Sequence, residues 1–554
     1  MSLEPGEQLL AEGRAAAVPV GISRFCAARG AASELDYKRL SVADGRVMFH
    51  AHVGLNTWPA TAAALQEITA ELAERGHVLD RYGLALDRGM GLPPERRALV
   101  AKETGPRLDD EDWAALATVA DTQPHLGDFM IGTEASVENT QHALRNGITT
   151  VGNLGQFLAF GTPGADDLAV VRATVRALGV MAAARGSGAL VHSYLDDGLA
   201  MQLGSYGDYL AWAALEIHVV ESMAGARLTH CYGGLVPQPA ARALIGLTLR
   251  RLHGTGGAGS MVYGNTVDYS RDLAHNGEVL SEYLLTDIAT QLHAPTGHAV
   301  NPVPLTENLR IPSAADILEV QLLAREIEAD ARRSADLFDW ADLDRQADAA
   351  AEYALATSRR MLALLEEDGV PVDDVAGLLA VLRRTDVVAL ERRLGTVAPE
   401  GIARWQPWKA STMRRMADDL AAAAHDLHGV RVVLACLDVH DLARDVIRSS
   451  LVRLGAEVVQ LPTDSLPEAV ARAAVAEDAD AVIASTYNGS ALTVGSRLHA
   501  SLAALDYDGV VVMGGVLNED RGGDLPVDVR ADLEALGIRC PETLADVPAM
   551  VAGR

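Results

Sequence analysis

The stretch LACLDVHDLARDVIRSSLVRLGAEVVQLPTD, residues 434–464, places Asp438 and His440 two positions apart, where an apolar run opens into a helical pattern. A neutral imidazole ligates a metal through one ring nitrogen, and its other N–H needs an acceptor to fix the tautomer. Asp-x-His at a strand end therefore suits a metal–histidine–aspartate relay. The same residues suit a solvent-facing loop acid that helps cap the next helix. Spacing alone leaves both readings open. Two further segments fall at equivalent strand ends. ASTYNG (484–489) brings the hydroxyls of Ser485 and Thr486. MGG (513–515) brings Gly514 and Gly515, which either let a ligand approach the backbone or make a tight turn. Upstream, ALDRGMG, ALVHSY and LTHCYGG set Asp87, Arg88, His192, His230 and Tyr232 at the ends of apolar runs. A barrel of parallel strands carries its chemistry at such ends, although a lone His or Tyr there also serves as packing or capping.

These residues need strands that end on one side. Residues 15–313 alternate short apolar runs with helical stretches. The expected strands are VPVGIS (18–23), RVMFHAHV (46–53), RYGLAL (81–86), DFMIGT (128–133), ITTVGN (148–153), ALVHSY (189–194), ARLTHCY (226–232) and SMVYGN (260–265). Strand and helix in alternation imply parallel βα units, and a closed (β/α)8 TIM-type barrel over residues 1–313 is the expected way to complete them. Residues 314–429 carry apolar residues at helical spacing and are expected to form a helical linker. Residues 430–554 read as a compact α/β domain. Its strands are RVVLACLD, AEVVQLP, DAVIAST, GVVVMGG and a short one near Ile538–Arg539, with helices at 441–454, 466–477 and 490–505. That order is the flavodoxin-like, Rossmann-like pattern, whose ligands sit at the carboxyl ends of the strands.

The composition narrows the partners. The chain has 554 residues, 49% hydrophobic and 22% charged, with a formal net charge of −28. Such an acidic surface repels nucleic acid and anionic membrane, which both require Lys and Arg, and leaves a small-molecule substrate unconstrained. No apolar run reaches the ~18 residues that span a bilayer. No basic, then apolar, export signal opens the sequence. The four cysteines are scattered without a CxxC pair, against a disulfide framework or a structural zinc site. A cytoplasmic protein is the expectation.

The C-terminal pattern resembles the cobalamin-binding domain of the vitamin-B12-dependent mutases, most of all the small subunit of glutamate mutase (methylaspartate mutase). That family carries Asp-x-His-x-x-Gly, a hydroxyl segment and a Gly-Gly turn. The resemblance implies adenosylcobalamin as cofactor, with His440 as the lower cobalt ligand and Asp438 orienting it. Ser485, Thr486, Gly514 and Gly515 would line the channel for the cofactor's tail. Two positions depart from the family: Ala443 stands at the motif glycine, and the family's Ser-x-Leu reads Ala484-x-Thr486. Upstream, NGITTVGN, GALVHSYLDDG, AGARLTHCYGG and NPVPLTENLRIP look like the large barrel subunit of the same family. The resemblance spans residues 45–313 and 430–554, as though the two subunits were fused.

The resemblance implies a carbon-skeleton mutase acting on a small amino acid or carboxylic acid, with the cofactor carrying the radical chemistry. The family holds its dicarboxylate substrate with arginines. Here the corresponding strand reads MFHAHVG, with His50 and His52 and no arginine. Asp87, Arg88, His192, His230 and Tyr232 are the expected pocket residues, and Arg81 and Arg88 have the geometry to hold a carboxylate. A corrinoid methyltransferase, whose helices would shield a methyl group, and a non-catalytic cobalamin-binding partner are the alternatives. A homodimer, or a second subunit that completes the active site, is the expected assembly.

Overall fold

In the computed structural model, the first zone contains eight short strands. They are β1 (Met48–His52), β2 (Arg81–Gly83), β3 (Gln123–His125), β4 (Thr150–Gly152), β5 (Leu190–Tyr194), β6 (Leu228–Cys231), β7 (Met261–Tyr263) and β8 (Ala299–Asn301). The structure describes residues 3–99, 105–161, 165–254, 257–334, 337–421, 426–438, 442–463, 465–487, 489–519, 521 and 527–552. Two compact units divide the chain: Met1–Ala159 with Ala165–Trp408, and Phe160–Gly164 with Lys409–Arg554.

In the first unit every pairing is parallel. One sheet runs β3-β2-β1-β8-β7 and another β4-β5-β6. Single parallel bridges, Leu126 with Val151 and Tyr232 with Val262, join the two sheets. The strands therefore follow one another in chain order, and β1 pairs with β8. A helix follows each strand: Trp58–Glu74, Asp110–Leu116, Ser136–Arg145, Asp167–Ala183, Tyr206–Ile217, Pro239–His253, Leu273–His293 and Ala314–Arg333. The starts of these helices are written in the sequence. Thr57 caps the first and Asp272 the seventh, and Ser313 forms a capping box with Asp316 for the eighth.

The eighth helix differs from expectation. The sequence suggested a linker from residue 314, yet Ala314–Arg333 packs on β1 and on the helices Trp58–Glu74 and Leu273–His293. Its buried Ile317, Val320, Ala324, Ile327 and Ala331 recur at steps of three and four, which puts them on one face. Burying each larger aliphatic stabilises that docking by about 1.5–3 kcal/mol. The long helix Trp340–Glu367 packs on Tyr206–Ile217 and Pro239–His253 in turn. Residues up to Trp408 thus belong to the first unit and are not a spacer.

Two expected strands are absent. Residues 18–23 form no strand, and the Ser23 hydroxyl caps the helix Arg24–Ala28. In 128–133, Phe129 takes φ +56, which ends any extended run. Their places are taken by β3 and β8.

The second unit contains β9 (Arg431–Cys436), β10 (Glu457–Gln460), β11 (Ala481–Thr486) and β12 (Val510–Gly515), all parallel in the order β10-β9-β11-β12. A bridge from Val512 to Arg539 adds the short fifth segment. Successive residues of β9 face opposite sides. Val433 and Ala435 pack under the helices Pro467–Ala476 and Ala491–Ala503, while Val432 and Leu434 pack under Leu442–Arg453 and Val547–Ala552. Both faces are covered, which explains the unbroken apolar runs. Among the described residues, the four cysteines are free and buried, and no helix is long and apolar enough to cross a membrane.

Candidate functional site

The order β10-β9-β11-β12 puts a crevice at the carboxyl ends of β9 and β11, where connections leave in opposite directions. Asp438 lies there, 3% exposed. Its Oδ2 accepts hydrogen bonds from Thr486 Oγ1 at 3.1 Å and from the Tyr487 backbone N–H. Its Oδ1 accepts a long contact, 3.5 Å, from the Cys436 thiol. Burial, and then the Asp438 charge, push that thiol up to about 12, so it stays protonated and donates. Ser485 pairs in register with Cys436 on one side and Gly514 on the other, and Thr486 pairs with Gly515. The Ser485 hydroxyl is buried and finds no hydrogen-bond partner of normal geometry.

Five of the residues expected to hold a cofactor therefore gather at one sheet edge. The two glycines differ. Gly515 has φ +105, and a Cβ there would stand 2.0 Å from the Thr486 carbonyl oxygen, so the sheet itself demands glycine. A Cβ at Gly514 would meet only Pro541, at an ordinary 3.5 Å. His440 lies outside the described residues, as does the side chain of Ala443. Among the described residues, no group of three or more His, Cys, Asp or Glu side chains is placed to hold a metal ion.

In the first unit, strand alternation decides which side chains face into the ring. Register pairs His50 with Arg81, His52 with Gly83, Gly83 with His125, and Gly152 with His192. These inward positions form a histidine cluster. The rings of His125 and His192 are 4.6 Å apart, those of His50 and His125 6.0 Å, and His50 Nε2 lies 3.2 Å from His52 Nδ1. Glycine makes room for the cluster: a Cβ at Gly83 would stand 2.8 Å from His50 Nε2. Burial first, then the Arg81 charge, hold His50, His125 and His192 well below the usual histidine range. All three are neutral near pH 7. Neither ring nitrogen of His125 has a hydrogen-bond partner, and neither does Asn301 Nδ2 at the end of β8.

The amino end of the ring is closed by the helix Glu34–Ala43. Arg81 Nε lies 3.0 Å and Lys38 Nζ 3.6 Å from Glu34 Oε1, with all three side chains fully buried. Arg81 also donates to Ser260 Oγ at 3.2 Å, and that hydroxyl lies 2.8 Å from His192 Nδ1. A chain of contacts thus runs from Glu34 to His192. At the carboxyl end, His52 Nε2 lies 3.9 Å from Asp128 Oδ2. Gln156 Nε2 donates to both Asp128 Oδ1, at 2.8 Å, and Asp197 Oδ2, at 3.2 Å. Tyr194 and Tyr263 stack there at 5.7 Å. Burial, and then the charges of Glu307, Asp128 and Asp197, keep the Tyr263 hydroxyl protonated.

Of the expected pocket residues, His192 faces into the ring. His230 and Tyr232 do not, because Cys231 between them takes the inward position. His230 Nδ1 lies 2.8 Å from His253 Nε2, and its Nε2 lies 3.2 Å from Glu216 Oε2. Glu216 also accepts from Ser193 Oγ and Trp212 Nε1, so His230 sits in a polar network between strand and helices. Tyr232 reaches toward Gly246 on the helix Pro239–His253. Asp87 accepts from the Gly89 N–H at 2.8 Å and from Arg107 Nε at 2.6 Å, which commits it to capping its own turn. Arg88 is half-buried in that turn. Sequence reasoning missed His125, Asp128, Tyr194, Asp197, Tyr263, Asn301 and Glu307. The His-x-His of MFHAH was a usable signal, since period two puts both rings on one face.

No protein-family model matches the chain, and no curated protein matches it. Solved structures similar to the chain include two with low scores. A novel cobalamin-binding protein from Desulfitobacterium hafniense DCB-2 is 16% identical over 26% of this chain and 80% of its own length, with a TM-score of 0.20. The carboxyl transferase domain from Rhizobium etli pyruvate carboxylase, with pyruvate and biocytin, is 12% identical over 78% of this chain and 81% of its own, with a TM-score of 0.30. At these scores neither likeness carries an argument about this chain.

Proposed function

We propose that the chain is an adenosylcobalamin-dependent carbon-skeleton mutase of the glutamate mutase type. In this reading the strand ring is a (β/α)8 TIM-type barrel that holds a small amino or carboxylic acid. The second unit is a flavodoxin-like domain that holds the corrinoid. The observation that carries the proposal is Asp438: a buried carboxylate at the end of β9, fixed by Thr486 and the Tyr487 N–H, two residues from His440. A carboxylate oxygen accepts more than one hydrogen bond, so an imidazole N–H could join the donors on Asp438.

The residues present fit such a cofactor. His440 would ligate cobalt and Asp438 would set its tautomer. The Ser485 hydroxyl at the strand end and the uncrowded Cα of Gly514 would offer polar and close backbone contact to a tail. When bound, the cofactor supplies a radical by cobalt–carbon homolysis. The protein's share is positioning and the exclusion of water, which the ring's neutral, buried His192 and its Ser260 partner suit. The methyltransferase alternative rested on helices that would shield a methyl group. Most of those helices belong to the first unit, while residues 409–421 belong to the second, and detection of methyl transfer would favour that alternative.

The test is an absorption spectrum after incubation with adenosylcobalamin and desalting, for wild type and His440→Ala. A retained base-off cofactor with a histidine-ligated spectrum, altered or lost in the variant, is the expected result. A colourless wild-type eluate refutes the proposal and favours a non-catalytic partner protein. NMR of candidate acids with the loaded protein then tests for mutase turnover.

A further inference from the structure

The apolar run of β9, RVVLAC, closes on Cys436, two positions before Asp438. A buried cysteine often serves only as a small hydrophobe. Here the thiol has a polar contact. Cys436 Sγ lies 3.5 Å from Asp438 Oδ1, with Cys436 fully buried and Asp438 3% exposed. The backbone holds Cys436 from both sides: it pairs in register with Ser485, and its carbonyl accepts the Ser465 N–H at 2.9 Å.

We propose that Cys436 is a positioning residue for the lower cobalt ligand: its thiol shares Asp438 Oδ1 with the His440 imidazole and moderates the pull of the carboxylate on that ring. The proposal rests on reading Asp438 and His440 as the corrinoid relay, and it adds a third member to it.

The two oxygens of Asp438 are used differently. Oδ2 takes the Thr486 hydroxyl, at 3.1 Å, and the Tyr487 backbone N–H, which together match the two lone pairs of one oxygen. An imidazole N–H is thereby directed to Oδ1, the oxygen that the thiol contacts. Donors on one oxygen share its charge, so each weakens the other. The direction of the contact is fixed, because burial keeps the thiol protonated: the sulfur donates and the carboxylate accepts. Alanine at 436 would fill most of the same space in the sheet and remove the competing donor. The carboxylate would then draw harder on the imidazole N–H, and the imidazole would donate more strongly to cobalt.

Two measurements test the proposal. The first uses the full chain without corrinoid, so that it is independent of cofactor binding. Subtracting the infrared spectrum of a Cys436→Ala variant isolates the Cys436 S–H stretch, in wild type and in Asp438→Asn alike. A hydrogen-bonded thiol stretches at lower frequency than a free one. Asp438→Asn keeps the shape but is a weaker acceptor, and it is expected to raise that frequency. The second measurement uses the chain loaded with cob(II)alamin. Electron paramagnetic resonance reads the splitting from the axial histidine nitrogen, and equilibrium dialysis reads the affinity. Cys436→Ala is expected to enlarge the splitting and to bind the corrinoid about threefold more tightly, the contribution of one weak hydrogen bond. Circular dichroism checks that the variants fold. An S–H stretch unmoved by Asp438→Asn, an unchanged splitting, or weaker corrinoid binding in Cys436→Ala overturns the proposal and leaves the relay standing. A wild type that retains no corrinoid overturns both, whatever the S–H stretch shows.

Discussion

Glu34→Gln is the sharpest perturbation the ring offers. The carboxylate is fully buried between Arg81 and Lys38, themselves fully buried. Removing one partner of a buried ion pair leaves an uncompensated charge and costs about 3–5 kcal/mol. Two cations share this one anion, so the upper half of that range applies when both are charged. Burial lowers the Lys38 ammonium to about 7 against the opposing pull of Glu34, and loss of Glu34 lowers it further. At pH 6 the wild-type lysine is charged, and the variant must bury two uncompensated cations or discharge one. At pH 8.5 the lysine is already neutral, and only Arg81 loses its counter-charge. The cost should therefore be larger at pH 6 than at pH 8.5. All six tryptophans lie at or before Trp408, so fluorescence during urea unfolding reports the first unit. A cost below about 1 kcal/mol at pH 6 would refute the assignment of Glu34 as the shared counter-ion. A cycle with Lys38→Met isolates the pair term, since the two residues touch.

Three further outcomes follow from the geometry. Lys38 has a folded-state value below its unfolded one, so the unfolded chain binds more protons between pH ~7 and ~10.5; wild-type stability should rise across that window by up to about 5 kcal/mol and stay flat in Lys38→Met, read by the same fluorescence. Glu216→Gln disturbs the acceptor shared by Ser193, Trp212 and His230 and should cost about 2 kcal/mol in urea unfolding; unchanged stability would count against that network. Gly515→Ala sets a methyl group against the Thr486 carbonyl at φ +105 and should cost at least about 2 kcal/mol in the second unit. Hydrogen exchange across 481–486 should accelerate in that variant, and unchanged protection would count against the backbone account of that glycine.

Legibility followed the length of the apolar signal. The strands of the second unit are buried on both faces, so RVVLACLD, DAVIAST and GVVVMGG stand out as unbroken runs and the sheet order follows. In the first unit β3 is only Gln-Pro-His, and β8 is Ala-Val-Asn ahead of a proline. Pro124 argues against a strand on local rules, yet it sits in one because a single ladder position suffices. The boundary drawn at residue 314 failed for another reason. An amphipathic helix declares that it must bury a face, not against what, and Ala314–Arg333 buries its face on β1. The site divided in the same way. Asp438 and Thr486 were readable because each ends a long run. The histidine cluster was not, because inward orientation at His125 or His192 depends on register across several strands, and a shift of one residue exchanges His230 for Cys231.

The ring's charges are ordered along its axis, and that order bears on the ligand. Cations and their shared anion lie at the amino end, imidazoles in the middle, and carboxylates at the carboxyl end. Had the imidazoles been protonated, they would have offset the acids beside them. Burial and the Arg81 charge keep His50, His125 and His192 neutral, so the middle layer passes hydrogen bonds without adding charge. Glu34 pairs with Arg81 and keeps that end close to balanced, which limits how far its positive field reaches. The middle of the ring thus offers a ligand neutral hydrogen-bonding groups, while the buried charges of its amino end, on Glu34, Arg81 and Lys38, are held among themselves.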